Sequence, residues 1–187
     1  MKAKPTNHPG EVVLELNRRD EALLAAASGE ATPSPFRLKK ILVPIDFSDC
    51  SKKALQYAIP LAKQHRAAIT LLYVVATPAY AAGEYGGIDH TSLEVEARTG
   101  AAEALAALVV DEIRGEVPSD TVVCSGSTAF EIIEAAKRLP ADMIVVSTHG
   151  RTGLKHVLLG SVAENIVRHA PCPVLVVRER EHEFLAN

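Results

Sequence analysis

Two short apolar runs near the end of the sequence enclose a glycine-containing loop and a helical segment. Met143–Ser147 has the length and the β-branched content of a buried strand. Residues 148–159 have glycines at positions 150 and 153, as expected of a loop, and Gly160-Ser161 then starts a helical segment. Prolines end this helix before a second apolar strand at Val174–Val177. The helix has apolar residues at helical spacing, namely Val162, Ile166 and Val167.

A strand that leads through a glycine-rich loop to a helix N-terminus has the geometry of an anion site. Glycine lets the backbone approach a ligand closely, and the first N–H groups of the helix point at it. Further donors around this loop are Thr148, Ser161, Arg151 and Lys155. The spacing matches neither the P-loop nor the dinucleotide fingerprint. Since glycine also serves ordinary tight turns, the pattern alone leaves phosphate binding open.

The rest of the chain alternates between strand-like and helical segments. Strands are predicted at 41–45, 68–75 and 121–124, and helices after 48, at 91–114 and after 127. Strands that are apolar on both faces and alternate with helices predict an α/β fold, a parallel sheet with helices on both faces. These three helices have apolar faces: Ala54, Leu55, Ala58, Leu61 and Ala62 on the first, Leu93, Ala97, Ala101, Leu105, Leu108, Val109 and Ile113 on the second, and Phe130, Ile133 and Ala136 on the third. Glu131 is placed for a capping box with Ser127 or Thr128.

Length and composition predict one domain with an N-terminal extension. The sequence has 187 residues, and we expect the extension at 1–36, the domain at 37–180 and a tail at 181–187. Within the extension, residues 1–10 are predicted to be disordered, 11–28 to form a helix and 31–35 to be a Pro/Ser linker. Whether the extension docks on its own domain, docks on a partner or is a loose tail stays open.

Charge and cysteine content narrow the function classes. The formal net charge of −3 argues against nucleic acid or an anionic membrane as a general partner. Three cysteines without C-x-x-C spacing are typical of a reducing cytoplasm. With no long apolar run and no signal-peptide pattern at the start, we expect a cytoplasmic protein.

The C-terminal stretch resembles a known family. The run HGRTGLKHVLLGSVAENIVRHAPCPVLVV is similar to the universal stress proteins, whose ATP-binding members carry G-x2-G-x9-G-[ST]. Gly150 stands at the second glycine of this pattern, and Gly160-Ser161 match its end. Ser147 replaces the first glycine, which costs little unless the turn needs a positive φ. The resemblance covers residues 39–178 and implies a five-stranded sheet of order 3-2-1-4-5.

The resemblance also implies an ATP site. Asp46 would hold the ribose and the Val74 backbone the adenine, while Ser147, Gly150 and the Gly160-Ser161 pair would hold the phosphates, bridged where present by Mg²⁺. Thr148, His149 and Arg151 would assist. The complete set of expected ligand-binding residues is Pro44, Asp46, Val74, Val146, Ser147, His149, Gly150, Arg151, Gly160, Ser161 and Val162.

The implied strand order makes the first and fourth strands neighbours whose connections leave to opposite faces. Ligands of such sheets bind in the crevice at the carboxyl ends of these strands. Asp46 follows the first strand, and the loop from Ser147 follows the fourth. By pattern alone, a cap of the helix or turn is the more common role for such an aspartate, and it is the resemblance that favours a role at the ribose for Asp46. The convergence of both stretches on one crevice is the main physical reason to expect a site there.

Other functions have less support. No residue is placed as a base for an attacking water, so ATP hydrolysis would be slow at most. Zinc-protease, nucleophile-elbow and adenylyl-transfer motifs are absent from the sequence, and we expect no metal site. The main alternative is a stress protein that binds no nucleotide and acts as a dimeric interaction module with an unknown protein partner. A small-molecule enzyme would have to use Asp46 or His149.

The resemblance implies a homodimer that pairs through Val174–Val177, where an exposed strand edge would favour self-association.

Overall fold

The structure is a computed structural model, and it describes residues 2–5, 12–15, 37–76, 90–150 and 159–178. The chain forms two compact units, Met1–Phe36 and Arg37–Asn187.

In the first unit, strands β1 (Lys2–Pro5) and β2 (Val12–Glu15) pair antiparallel. The sequence predictions for these eight residues, disorder for 2–5 and helix for 12–15, are therefore wrong. The pair Val12-Val13 is β-branched and favours a strand, and strand pairing satisfies the backbone of both segments. The predicted remainder of the helix and the linker lie outside the described residues.

The second unit consists of alternating strands and helices. Its elements in chain order are β3 (Lys40–Pro44), α1 (Asp49–His65), β4 (Ala68–Ala76), α2 (His90–Leu108) with a π-helical turn (Val109–Ile113), β5 (Ser119–Gly126), α3 (Thr128–Arg138), β6 (Met143–Ser147), α4 (Ser161–His169) and β7 (Val174–Val177). Two of the predicted strands, β6 and β7, have the predicted bounds. The others differ by one to a few residues, and the predicted loop at 77–89 lies outside the described residues.

The five strands of this unit form one parallel sheet in the order β5-β4-β3-β6-β7. Counted within the unit this is the order 3-2-1-4-5, so the predicted fold class and strand order are confirmed. The first and fourth strands, β3 and β6, are neighbours in the middle of the sheet. The carboxyl ends of these two strands therefore meet at one edge, which positions the candidate site.

Two apolar layers cover the sheet. Helices α1 and α2 pack on one face with a core that includes Leu55, Ile69 and Leu105. Helices α3 and α4 pack on the other face around Ile132, Ile144 and Ile166. Because both faces are covered, every interior strand is apolar on both sides, which is why these strands have continuous apolar sequences. None of the helices in the described ranges has the length and apolar content to cross a bilayer.

Some predicted apolar faces are wrong in detail. Phe130 is 60% exposed, because the buried side of α3 is formed by residues 132, 133, 135 and 136, and Phe130 lies over the polar stripe of Glu134 and Lys137. Leu93 is 53% exposed, since burial on α2 begins only at Ala101. The Ser127 side chain makes no capping hydrogen bond, so the predicted capping box is not formed.

Helix α4 also buries a narrower stripe than predicted. Ala163 and Ile166 are buried, whereas Val162 and Val167 are 37% and 47% exposed. The helix connects β6 to the outermost strand, β7, and the helix packed beside it is α3. At the end of the layer, only the side of α4 that faces the sheet and α3 is covered.

Candidate functional site at the carboxyl end of the sheet

Asp46 lies in the turn that leaves the end of β3. Its Oδ1 atom accepts hydrogen bonds from Ser48, at 3.0 Å from the backbone N and 2.5 Å from Oγ. A carboxylate that accepts from the backbone two residues ahead forms an Asx turn. The side chain is half-buried. Asp46 thus has one carboxylate oxygen engaged with its own turn.

The same turn starts helix α1. Ser48 is the N-cap residue, and its Oγ accepts from Ser51 N at 3.2 Å. The buried Ser51 hydroxyl donates to Ser48 O at 2.9 Å, and Asp46 N donates back to Ser51 Oγ at 3.4 Å. Residues 46–51 are therefore cross-linked by side-chain hydrogen bonds at the end of a central strand.

Phe47 has a backbone conformation that is rare for a large side chain. Its φ is 65°, in the left-handed region that costs most residues roughly 1–2 kcal/mol. The Phe47 ring packs on Tyr73 of β4, with ring centroids 5.1 Å apart. This contact offsets part of the strain and fixes the turn to the neighbouring strand.

Gly150 comes into direct contact with Asp46. A Cβ atom built on Gly150 would lie 2.5 Å from Oδ2 of Asp46, closer than real side-chain contacts. Only the absence of a side chain lets the loop after β6 reach the carboxylate after β3. The two stretches singled out in the sequence therefore meet at the crevice between β3 and β6.

The loop after β6 is closed at its base by Thr148. Thr148 is 3% exposed; its N donates to Val177 O at 2.9 Å, and its carbonyl accepts from Gly160 N at 2.8 Å. A Cβ atom on Gly160 would lie 3.0 Å from the same carbonyl, which is a tight contact. The two ends of the loop are thus held together beside the N-terminus of α4.

Side chains at the start of this loop form hydrogen bonds with their neighbours in the sequence. Ser147 Oγ donates to His149 O at 2.9 Å, and His149 Nδ1 lies 2.9 Å from Thr148 Oγ1. Ser147 is not among the residues with positive φ in the described ranges. A serine is therefore tolerated where the family pattern has its first glycine, and its hydroxyl shapes the loop.

Helix α4 directs its N-terminus at this edge of the sheet. Gly160 is its N-cap. The N–H groups of the first turn of any α-helix have no carbonyl four residues earlier within the helix to donate to. Its one first-turn acid, Glu164, forms an ion pair with Arg168 at 2.8 Å, which compensates the carboxylate charge. This terminus therefore keeps the positive end of the helix dipole that favours anions.

Val74 contributes backbone groups to the same edge. Its side chain is 9% exposed and belongs to the core, so only its backbone is available. The carbonyl of Leu72 accepts from Ile45 N at 2.8 Å and so points toward β3. Backbone groups of alternate residues in a strand point the same way, so those of Val74, two residues after Leu72, also point toward β3. They lie beyond Pro44, the last residue of β3.

The remaining predicted site residues differ in accessibility. Pro44 is the last residue of β3, and Val146 is 5% exposed in the core, so the Val146 side chain is not available to a ligand. Val162 is partly exposed on the first turn of α4. Arg151 lies outside the described residues. Among the described residues, no group of three His, Cys, Asp or Glu side chains could hold a metal ion.

The arrangement defines a class of protein: a doubly covered parallel α/β domain with a cleft at its topological switch point. The sequence model of the universal stress protein family matches residues 37–178. Universal stress protein MJ0531 of Methanocaldococcus jannaschii is 38% identical over 145 residues, which are 78% of this chain and 85% of that protein. Universal stress protein YxiE of Bacillus subtilis is 34% identical over 145 residues, covering 74% of this chain and 98% of that protein. The solved structure of UspA from Lactobacillus plantarum superposes with a TM-score of 0.66 at 30% identity, covering 76% of this chain and 99% of that one.

The chain therefore belongs to the universal stress protein family, and the resemblance seen in the sequence is confirmed. Sequence reasoning assigned no site role to Ser48 or Ser51, which support Asp46. The signal for Ser48 was present, because an Asp followed two residues later by Ser before a helix is typical of an Asx turn joined to an N-cap.

Proposed function

We propose that this universal stress protein binds ATP in the cleft between β3 and β6. The observation that carries the proposal is the contact of Gly150 with the Asp46 carboxylate, which brings a hydroxyl-binding acid and an anion-binding loop together. A nucleotide needs both, one for its ribose and one for its phosphates.

Each part of the cleft has a role in the proposal. Asp46 accepts hydrogen bonds from the ribose, and the backbone of Val74 contacts the adenine. Phosphates lie against Gly150 and the N-terminus of α4 at Gly160 and Ser161, where backbone N–H groups favour an anion. His149 and Arg151 assist, and Mg²⁺ bridges phosphate oxygens when it is present.

Solved proteins of this fold support a nucleotide ligand. A universal stress protein from Archaeoglobus fulgidus was solved in complex with dAMP, with 20% identity and a TM-score of 0.51. A family protein from Arabidopsis thaliana was solved with AMP bound, with 20% identity and a TM-score of 0.54. At this identity they share the fold alone, and they indicate that the fold accommodates an adenine nucleotide.

The proposed role is binding and signalling in the cytoplasm, without rapid turnover of the nucleotide. None of the three cysteines, all in the described part of the chain, forms a disulfide, which agrees with a reducing compartment. Asp46 accepts a hydrogen bond from Ser48, and Ser147 donates one to His149. Both side chains are thus engaged within their own turns, and neither is proposed as the base that activates a water for attack on ATP. We therefore propose that ATP acts as a ligand that changes the protein's interactions.

Native mass spectrometry with Mg-ATP tests the proposal. We expect one ATP per subunit in the wild-type protein and a much smaller ATP-bound fraction, about tenfold weaker binding, in Asp46→Ala. Gly100→Ala serves as the control, since a Cβ on Gly100 meets no atom within 4 Å, and it should bind as wild type does. Absence of binding to the wild-type protein at millimolar ATP would refute the proposed function and favour the alternative of an interaction module.

We also propose that the protein is a homodimer that pairs through β7. The carbonyl of Pro173 accepts a hydrogen bond from Ile144 N of β6, and that of Val177 accepts one from Thr148 N, directly after β6. Backbone groups alternate in direction along a strand, so those of Val176 point away from β6, to the outer edge of the sheet. Unpaired edge groups invite pairing with a second copy. Val176→Pro removes one outward donor and leaves the ladder to β6 intact, so it should weaken the dimer. Sedimentation analysis of both proteins measures this, and a monomeric wild type at micromolar concentration would refute it.

A further inference from the structure

We infer that Ser48 is a positioning residue for Asp46 and sets how strictly the cleft selects ribose hydroxyls. The inference rests on the proposed function, since it assigns to a second residue the selectivity of the same cleft. Its basis is the pair of hydrogen bonds from Ser48 to one oxygen of the Asp46 carboxylate, at 3.0 Å from N and 2.5 Å from Oγ.

These bonds fix the direction of the carboxylate. An aspartate side chain has two torsions, and its terminal torsion is soft, so an unsupported carboxylate samples a broad range. With Oδ1 held by two donors of one residue, Oδ2 is directed toward Gly150 and the cleft. A hydrogen bond to a ribose hydroxyl depends on this direction, because its strength falls steeply with misalignment.

Ser48 is itself held rigidly. Its Oγ accepts from Ser51 N at 3.2 Å, and its carbonyl accepts from the Ser51 hydroxyl at 2.9 Å. Ser51 is 1% exposed, so this support lies within the packed interior. The order of support runs from the buried Ser51 to Ser48 and from Ser48 to the carboxylate, as expected for a binding group held by a second layer of hydrogen bonds.

Ser48 has two separable tasks, since it caps helix α1 and donates to Asp46. Ser48→Asp keeps an excellent cap acceptor but cannot donate, and it places a second negative charge beside Asp46. Ser48→Ala loses the cap acceptor and the hydroxyl donor, whereas Ser48→Thr keeps both; the backbone N–H of residue 48 donates to Asp46 in every variant. Comparing the three variants separates the stability of the helix from the direction of the carboxylate.

The experiment is isothermal titration calorimetry with Mg-ATP, 2′-deoxyATP and 3′-deoxyATP. For wild type we expect at least one deoxy analogue to bind about tenfold or more weakly, as for a hydrogen bond to a charged group. In Ser48→Ala, ATP should weaken by about tenfold while that analogue changes by less than about twofold, so discrimination collapses. In Ser48→Asp, the added negative charge opposes the phosphates of all three ligands alike, and discrimination should collapse in addition to that common weakening. Ser48→Thr should restore it.

Two controls complete the design. Ser127→Ala removes a serine from the start of α3, where it makes no capping hydrogen bond, and should leave discrimination unchanged. In an Asp46→Ala background, the Ser48 variants should have no further effect on discrimination, because the group they orient is gone.

The outcomes separate the two proposals. If wild type binds ATP and the folded Ser48→Asp and Ser48→Ala variants keep the wild-type discrimination, the positioning role is wrong and the ATP site stands. Equal weakening of ATP and both analogues would also overturn it, since that is the result of a structural loss. A wild type that binds no nucleotide refutes the proposed function and this inference with it.

Discussion

Oδ2 of Asp46 occupies the space that a side chain on Gly150 would need, with only 2.5 Å to the nearest Cβ position. The two residues are 104 positions apart in the sequence and belong to turns after neighbouring strands, β3 and β6. A side chain at position 150 would therefore displace the Asp46 carboxylate or the loop, before any ligand is considered. The same contact joins the acid and the loop into one surface.

Gly150→Ala should disturb this surface. The added methyl group cannot coexist with the present position of the Asp46 carboxylate, so either the loop or the carboxylate must move. We expect Mg-ATP to bind at least about tenfold more weakly, because misplacing one charged hydrogen-bonding group has roughly this effect. Titration calorimetry on the purified variant measures the change.

Gly100→Ala is the matched control for that substitution. Gly100 lies inside α2 with open space around it, so alanine should raise the free energy of unfolding by about 0.5–1 kcal/mol through helix propensity alone. Nucleotide affinity should not change. If Gly150→Ala bound ATP as tightly as Gly100→Ala does, the assignment of the loop to the cleft would be wrong.

At position 47, the glycine variant should be more stable than the alanine variant, which is the reverse of the usual order. Both lose the packing on Tyr73, but alanine keeps the unfavourable left-handed backbone at φ 65°, which glycine adopts freely. After allowance for the greater freedom of glycine in the unfolded chain, we expect Phe47→Gly to be more stable than Phe47→Ala by about 0.5–1 kcal/mol. Urea unfolding measures the difference, and a more stable Phe47→Ala would contradict the role of backbone strain at this turn.

The architecture of the domain was predictable because its signals are repeated. Each interior strand, such as Met143–Ser147, is a short continuous apolar run, and each is followed by a helical period and a proline or glycine. Because strands and helices alternate, and crossovers between parallel strands are right-handed, a parallel sheet covered by helices can be predicted without knowing which residues are in contact. The strand order needed the family resemblance, because periodicity does not report which strands are neighbours.

The candidate site was predictable in its location and not in its detail. Asp46 and Gly150 follow strand ends, so their convergence could be inferred from topology. The support of Asp46 by Ser48 depends on side-chain rotamers, and the contact of Gly150 with Oδ2 depends on loop geometry. Exposure was least predictable at Phe130 and Val167, because a hydrophobic residue at helical spacing reports an apolar stripe but not how much of it the neighbours cover.

Asp142 should contribute to stability without affecting the cleft. Its Oδ2 accepts from Lys39 N at 2.7 Å and from Lys40 N at 2.9 Å, which fixes the start of β3 to the start of β6. This clamp lies at the amino end of the strands, opposite the candidate site. Asp142→Ala should lower the free energy of unfolding by roughly 1–3 kcal/mol and leave ATP affinity within about twofold. Urea unfolding and calorimetry test both parts, and a loss of affinity in the folded variant would contradict the separation of the two ends.

The thiol of Cys172 should make the protein less stable at high pH. Burial, and after it the negative charge of Asp142, raises the pKa of Cys172 above its ordinary value of 9.0. Well below pH 9.0 the thiol is protonated in both states. As the pH rises through 9.0, the unfolded chain loses this proton first, so stability is lost until the folded protein also releases it. Under reducing conditions, the fall in unfolding free energy between about pH 7.5 and about pH 10.5 should be smaller in Cys172→Ala than in wild type. It should also be smaller in Asp142→Asn, though by less, because burial is the larger cause. All other side chains are common to wild type and Cys172→Ala and cancel in the comparison, so an identical fall in these two proteins would show that the environment of Cys172 does not disfavour its thiolate.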